Sequence, residues 1–264
     1  MKLIRFEDDA GQVRWGSPTQ DDQARLITGD IFSDRTLTDQ TAHVRRILAP
    51  IEPLNLIAIG LNYRRHAEET GKAAPEEPVI FAKLVSCVIN PNDPIKLPAS
   101  APDEVDYEAE LAIVIGKTAR KVAERDALNH VLGYTCANDV SARDCQIRRD
   151  LQWTRGKSFD TFCPLGPALV IDPELDPDAL EIRGRLNGEI MQDSNTSDMI
   201  FSAPRLISYL SHQFTLAPGT VILTGTPEGV GAARKPPRFL RPGDQYTVQI
   251  ENVGELTNPV EKDT

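Results

Sequence analysis

Apolar residues along this chain gather in short runs. Asn55–Gly60, Pro78–Lys83, Tyr107–Ile115, Gly133–Asn138, Ala168–Ile171, Glu181–Leu186, Thr220–Thr224 and Gln245–Ile250 each read as strands. Seventeen glycines and twenty prolines punctuate them, the mark of a β-rich chain with many turns. Regular alternation of strands with long helices is missing, which argues against a doubly wound parallel sheet. The first fifty residues form a small unit of their own. Lys2–Phe6 and Gln12–Trp15 flank an Asp-Asp-Ala-Gly turn as a hairpin. A polar helix over Asp39–Leu48 follows, and a boundary falls near Pro50 and Pro53, dividing residues 1–51 from 52–264. Three further helices are predicted. Ser141-Ala-Arg-Asp144 is a capping box opening a helix that runs to about Leu151. Ser202 caps Ala203–His212, where Leu206, Ile207 and Leu210 make an apolar stripe. A short helix over Tyr63–Thr70 stops at Gly71.

The net charge of −10 removes some partners from consideration. Nucleic acid and anionic membranes both need a basic face. Leu56–Leu61 and Leu111–Ile115, the longest apolar runs, are too short to span a bilayer. The amino terminus turns acidic by Glu7, unlike a secretory signal, and the four cysteines lack CxxC spacing. The chain therefore reads as a cytoplasmic protein with reduced thiols.

Residues 103–110 carry five acids and no base. Extending the strand period back from Leu111–Ile115 sets Glu108 and Glu110 on one face, about 7 Å apart at their bases. On a half-buried face that pair needs a shared proton, a basic partner or a divalent cation; on an edge strand it simply faces water. Asp139 ends the run Gly133–Asn138, where it serves either a site or a turn. Hard cations such as Mg²⁺, Mn²⁺ or Ca²⁺ suit such oxygen donors. Arg143 and Gln146 lie three apart and share a helix face. Lys157 stands between Gly156 and Ser158 on a turn. His66 and Glu69 are i,i+3 neighbours, the spacing of an oriented base or of an ordinary surface pair. Thr224-Gly-Thr226-Pro-Glu-Gly-Val-Gly231 lacks both the P-loop ending and the dinucleotide fingerprint. It reads as a tight turn bringing backbone and the Thr226 hydroxyl near a ligand.

Taken together, these segments resemble the fumarylacetoacetate hydrolase superfamily over roughly residues 52–260. The marks are Gly60-Leu-Asn62-Tyr63 with His66 and Glu69, Asp106-Tyr-Glu108-Ala-Glu110-Leu, Asn138-Asp139-Val-Ser-Ala-Arg143-Asp and Gly156-Lys157-Ser-Phe-Asp-Thr. Asn187-Gly-Glu, Ser194-Asn-Thr-Ser-Asp198-Met-Ile-Phe and the Leu223–Gly231 turn continue the series. The resemblance implies an α+β fold: a rolled, mixed β-sheet core with short peripheral helices, here with a small amino-terminal β-rich appendage, usually assembled as a homodimer. It implies Mg²⁺ or Mn²⁺, with Ca²⁺ as a substitute, held by Glu108, Glu110 and Asp139. It makes Lys157, Thr226, Arg143 and Gln146 substrate contacts, with Tyr63 beside them, and His66 with Glu69 a water-activating dyad. Ile59 and Asn62 supply no fourth acidic ligand.

The function this implies is hydrolysis of a C–C bond in a 2,4-dioxo acid such as an acylpyruvate or fumarylpyruvate, with Lys157 helping to hold the departing enolate. Relatives with the same motifs isomerise dienedioates or decarboxylate 2-oxo acids such as oxaloacetate. A non-catalytic carboxylate-binding protein on the same scaffold is the alternative of another class.

Overall fold

A computed structural model describes residues 1–263 and shows a mixed α+β chain, mostly sheet with a few short helices. Among the described residues one large sheet has twelve strands. Its order is Thr36–His43, Gln23–Thr28, Val13–Pro18, Lys2–Glu7, Cys163–Val170, Val131–Asn138, Ala109–Ile115, Thr220–Leu223, Asn55–Gly60 and Val79–Lys83, with two short strands branching off. The sheet is mixed: Thr220–Leu223 runs parallel to Asn55–Gly60 but antiparallel to Ala109–Ile115. A second sheet of five strands is ordered Glu189–Asn195, Glu181–Leu186, Gln245–Ile250, Gly254–Lys262 and Ile95–Leu97.

Every residue of Ala109–Ile115 is buried, so both faces of this strand are covered. Leu111, Ile113 and Ile115 belong to one continuous core with Ile182, Val248 and Leu256 of the smaller sheet. Burying such a side chain is worth about 1.5–3 kcal/mol, which fixes the register and with it the position of Glu110. The edge-strand reading of the two glutamates is thereby removed.

The amino-terminal strands are stitched into the large sheet. Lys2 and Leu3 pair with Val170 and Leu169, and the Ile171 amide donates to the Met1 carbonyl. The predicted hairpin forms as Lys2–Glu7 and Val13–Pro18.

Two predicted helices are replaced by other structure. Asp39–Leu48 lies in the strands Thr36–His43 and Arg46–Leu48. Its polar character is that of a sheet margin: the residues pointing out are exposed, and the β-branched Thr38 hydroxyl donates to the Leu26 carbonyl across the ladder. Ser141 does not cap a helix either. Ser141 and Ala142 pair with Asp106 and Val105, and the Ser141 hydroxyl donates to the Asp139 carbonyl at 2.9 Å. The chain turns only at Asp144, whose carboxylate accepts from the Cys145 amide at 2.7 Å and opens a π-helical turn over Cys145–Arg149.

The other two helices form as expected. Arg64–Glu69 ends at Thr70, with Gly71 in the left-handed region at φ +67°. Ala203–Gln213 is capped by Ser202, which accepts from the Arg205 amide, and it buries Leu206, Ile207 and Leu210. Among the described residues no helix is long and apolar enough to cross a membrane. All four cysteines are buried free thiols, and burial pushes the Cys136 thiol up to about 12, which leaves it unreactive.

Candidate functional site

Two sequence-distant segments deliver three carboxylates to one buried point. Glu110 sits near the start of the central strand, and Glu108 lies two residues before it. Asp139 follows the neighbouring strand Val131–Asn138. The corner is locked by hydrogen bonds: the Glu108 amide donates to Asn138 Oδ1 at 3.0 Å and the Asp139 amide to the Glu108 carbonyl at 2.9 Å. One oxygen from each of Glu108, Glu110 and Asp139 lies within 4.8 Å of the others.

Basic groups converge on the same point. Lys157 Nζ lies 2.7 Å from Glu108 Oε2 and 2.7 Å from Asp139 Oδ2. Lys157 is not on an open turn as predicted. It is the last residue of a helical turn, Thr154–Lys157, and is buried. Gly156 makes this possible, because a Cβ there would sit 2.7 Å from the Gln146 nitrogen and 3.0 Å from the Ala142 carbonyl. Arg143 Nη1 lies 2.7 Å from Glu108 Oε1 and donates to Gln146 Oε1 at 2.9 Å. Its Nε donates to Asp106 Oδ2 at 2.8 Å.

These charges separate the carboxylates. Burial pushes Glu108 up, but the Lys157 ammonium and Arg143 guanidinium more than offset it and hold the carboxyl at about 2. Burial, followed by the charges of Asp139 and Glu108, drives Glu110 well above the ordinary carboxylate range. Glu110 accepts one hydrogen bond in return, from the Gly225 amide at 2.7 Å. A crowded, buried group of carboxylate oxygens with one member short of positive partners is a donor set matched to a small hard cation.

The turn after Thr220–Leu223 closes the site. Gly225 adopts φ +101°, and a Cβ on it would lie 2.7 Å from Asn62 Cβ. Asn62 secures the turn, donating to the Thr224 carbonyl at 2.7 Å and accepting from the Phe201 amide at 2.9 Å. His66 Nδ1 lies 2.7 Å from Glu69 Oε1, and Glu69 Oε2 accepts from the Gly229 amide at 2.9 Å. The histidine–glutamate pair is therefore tied to the same turn.

A cavity of about 760 Å³ opens onto these groups. Glu108, Glu110, His66, Lys157, Arg143 and Thr226 all line it, as do Gln146 and Glu69. Phe81, Trp153, Ile59 and Val230 supply apolar walls. Tyr63 is the exception among the predicted contacts. It is wholly buried, its hydroxyl meets no hydrogen-bond partner among the described residues, and it does not line the cavity. Its ring is core that begins the helix carrying His66.

Two residues central to the site carried little signal. Lys83, the last residue of the strand Val79–Lys83, is buried in an ion pair with Asp139 and donates to the Phe162 carbonyl at 2.9 Å. Burial alone would lower its pKa, and the Asp139 carboxylate reverses that. Its parity with Val79 and Phe81, which line the cavity, was the available clue. Asp106 is buried and accepts from Arg143, from the Gly231 amide at 2.7 Å and from the Ala232 amide at 3.0 Å. It joins the arginine to the end of the glycine-rich turn.

Residues 55–261 match the model of the fumarylacetoacetate (FAA) hydrolase C-terminal family, and residues 1–50 match the family described as Rv2993c-like, N-terminal. The chain belongs to the fumarylacetoacetate hydrolase family. A fumarylacetoacetate hydrolase domain-containing protein 2 homolog of Dictyostelium discoideum is 51% identical over 81% of this chain and 74% of its own length. Oxaloacetate tautomerase FAHD2A, mitochondrial, of Homo sapiens is 49% identical over 81% of this chain and 68% of its own. Among solved structures, 5-carboxymethyl-2-hydroxymuconate delta-isomerase from Mycobacterium smegmatis superposes with a TM-score of 0.89 at 43% identity, covering all of both chains.

Proposed function

We propose that this chain is a divalent-cation-dependent enzyme that interconverts the enol and keto forms of a short 2-oxo dicarboxylic acid, oxaloacetate being the first candidate. The observation that carries this reading is the buried Glu108–Glu110–Asp139 cluster, of which Glu108 and Glu110 line one cavity together with the His66–Glu69 pair. Relatives about half identical to this chain are named for oxaloacetate tautomerisation, and solved neighbours for isomerisation, which supports proton transfer over bond cleavage.

Glu108, Glu110 and Asp139 would hold Mg²⁺ or Mn²⁺, which when bound polarises the 2-oxo acid and offsets the charge that develops as a carbon-bound proton leaves. His66 moves that proton. Glu69 takes the Nδ1 side of the ring, so Nε2 is left for the exchange. Lys157 spends two of its three N–H donors on Glu108 and Asp139 and keeps the third for a substrate oxygen. The Gln146 oxygen is committed to Arg143, which leaves the amide nitrogen to bind the distal carboxylate. His66→Gln is expected to lower kcat by about 10²–10⁴-fold while Mg²⁺ affinity stays near wild type. Stopped-flow turnover with parallel calorimetry checks both.

The second reading is hydrolysis of a 2,4-dioxo acid, favoured by the size of the cavity and its Phe81 and Trp153 walls, which suit a longer acyl tail. There His66 would take its proton from water. Purified protein with Mg²⁺ decides between them. Loss of the enol ultraviolet absorbance of oxaloacetate is expected to accelerate without release of pyruvate. Pyruvate formed from an acylpyruvate, with enol decay unchanged, would replace tautomerisation by hydrolysis. Pyruvate formed from oxaloacetate itself would replace it by decarboxylation.

A further inference from the structure

Gln192 lies on the strand Glu189–Asn195 of the smaller sheet and is 1% exposed. Burying a primary amide is costly unless all its groups are paired. Here they are. Gln192 Oε1 accepts from the Ala109 amide at 2.9 Å and from the Tyr246 hydroxyl at 2.7 Å. Gln192 Nε2 donates to the Pro227 carbonyl at 2.8 Å and to Thr226 Oγ1 at 2.8 Å. The orientation of the amide is settled by its partners. A backbone N–H only donates and a proline carbonyl only accepts, so oxygen must face Ala109 and nitrogen must face Pro227. It follows that Thr226 Oγ1 is an acceptor from Gln192.

The threonine's own proton is also assigned. Thr226 Oγ1 lies 3.0 Å from the Ala109 carbonyl, a pure acceptor, and donates to it. This pairing exists because the ladder runs out. Leu223 is the last residue of its strand and pairs with Ala112. Beyond it the Thr224 amide and hydroxyl both donate to the Leu111 carbonyl, and from there the side chains of Thr226 and Gln192 satisfy the backbone of Ala109. A hydroxyl oxygen has one proton and two lone pairs. With the proton on Ala109 and one lone pair on Gln192, a single lone pair is left, and Thr226 lines the cavity.

We infer that Gln192 is a positioning residue that fixes the Thr226 hydroxyl as a hydrogen-bond acceptor toward the cavity, so that the site receives a ligand oxygen bearing a hydrogen. In the reaction proposed above, on which this identification of the ligand rests, that oxygen is the enol hydroxyl. Without the Gln192 donor, Thr226 can rotate and present its proton, which suits a carbonyl or carboxylate oxygen instead.

A double-mutant cycle of Gln192→Met and Thr226→Val tests this, because a residue that acts through Thr226 has no further effect once the hydroxyl is gone. In the presence of Mg²⁺, Gln192→Met is expected to lower kcat/KM for enol-oxaloacetate about tenfold in the wild-type background and less than about twofold in the Thr226→Val background. Equal losses in both backgrounds would overturn the inference, since a general packing defect acts in both. If the methionine variant does not fold, Gln192→Glu enters the same cycle, where the effect of its charge appears in both backgrounds and cancels. If the wild type does not turn over enol-oxaloacetate, the tautomerase reading fails. The cycle is then read as Mg²⁺-dependent affinity for L-malate, which also carries a hydroxyl. Coupling there upholds the positioning role, and additive losses or no binding by the wild type overturn it.

Discussion

Glu110→Gln will cost this protein about 10³-fold or more in kcat/KM, together with most of its affinity for Mg²⁺ and Mn²⁺. The substitution is nearly isosteric, and the amide oxygen can still accept from the Gly225 amide, so the fold should survive. What disappears is a full anionic donor at a point where one oxygen from each of three carboxylates lies within 4.8 Å. Glu108 and Asp139 already have Lys157, Arg143 and Lys83 as partners, whereas among the described residues no basic side chain pairs with Glu110. The cation therefore depends on Glu110 more than on either neighbour. Chelation of the wild type by EDTA should reproduce the loss, and added Mg²⁺ should reverse it. Calorimetric titration with MnCl₂ that gave the variant an affinity within about threefold of wild type would remove Glu110 from the cation site.

Lys83→Met is the substitution expected to do most damage to stability. Lys83 and Asp139 are both almost wholly excluded from solvent. Removing Lys83 leaves the buried Asp139 charge partly stranded, with only the Lys157 it shares with Glu108 beside it, at a cost of about 3 kcal/mol, the low end for a broken buried pair. For a chain of this size that corresponds to a fall in melting temperature on the order of 10 °C. The lost Lys83 donor to the Phe162 carbonyl adds to it. Combining Lys83→Met with Asp139→Asn should recover part of the stability, because the stranded charge is then gone, while cation binding stays impaired. Differential scanning calorimetry is the measurement, and a shift below about 3 °C in the single variant would mean that water reaches Asp139 and replaces the lysine.

The strands that position the site were readable because their apolar runs are uninterrupted: Leu111–Ile115, Val221–Leu223 and Leu56–Ile59 all lie in the large sheet. The strands Glu189–Asn195 and Gly254–Lys262 were not, because their outward residues are polar and mask the alternation. Local signals misled at Ser141, where a capping pattern was present but Ser141 and Ala142 found β-partners in Val105 and Asp106. The same happened at Asp39–Leu48, where polarity suggested a surface helix and strand pairing prevailed. In the candidate site, Glu108, Glu110 and Asp139 could be singled out by parity and by position at a strand end. Arg143 and Gln146 were placed on a shared helix face and meet instead at the edge of a π-helical turn. Lys83 and Gln192 could not be placed because a single polar residue inside an ordinary strand says nothing of its partners. Their roles come from contacts 56 and 34 residues away in sequence, to Asp139 and Thr226.

The pairing of Lys2 and Leu3 with Val170 and Leu169 has a meaning beyond connectivity. The strand Cys163–Val170 would otherwise present a row of unpaired amides and carbonyls along this stretch, a ready template for another chain. The amino-terminal strands occupy that border and end the sheet in Thr36–His43, whose exposed residues, Thr36, Asp39, Gln40, Thr41 and His43, are all polar. They thus cover an otherwise open strand border at the opposite end of the sheet order from Asn55–Gly60 and Val79–Lys83, so the site and the sheet's outer margin are kept apart.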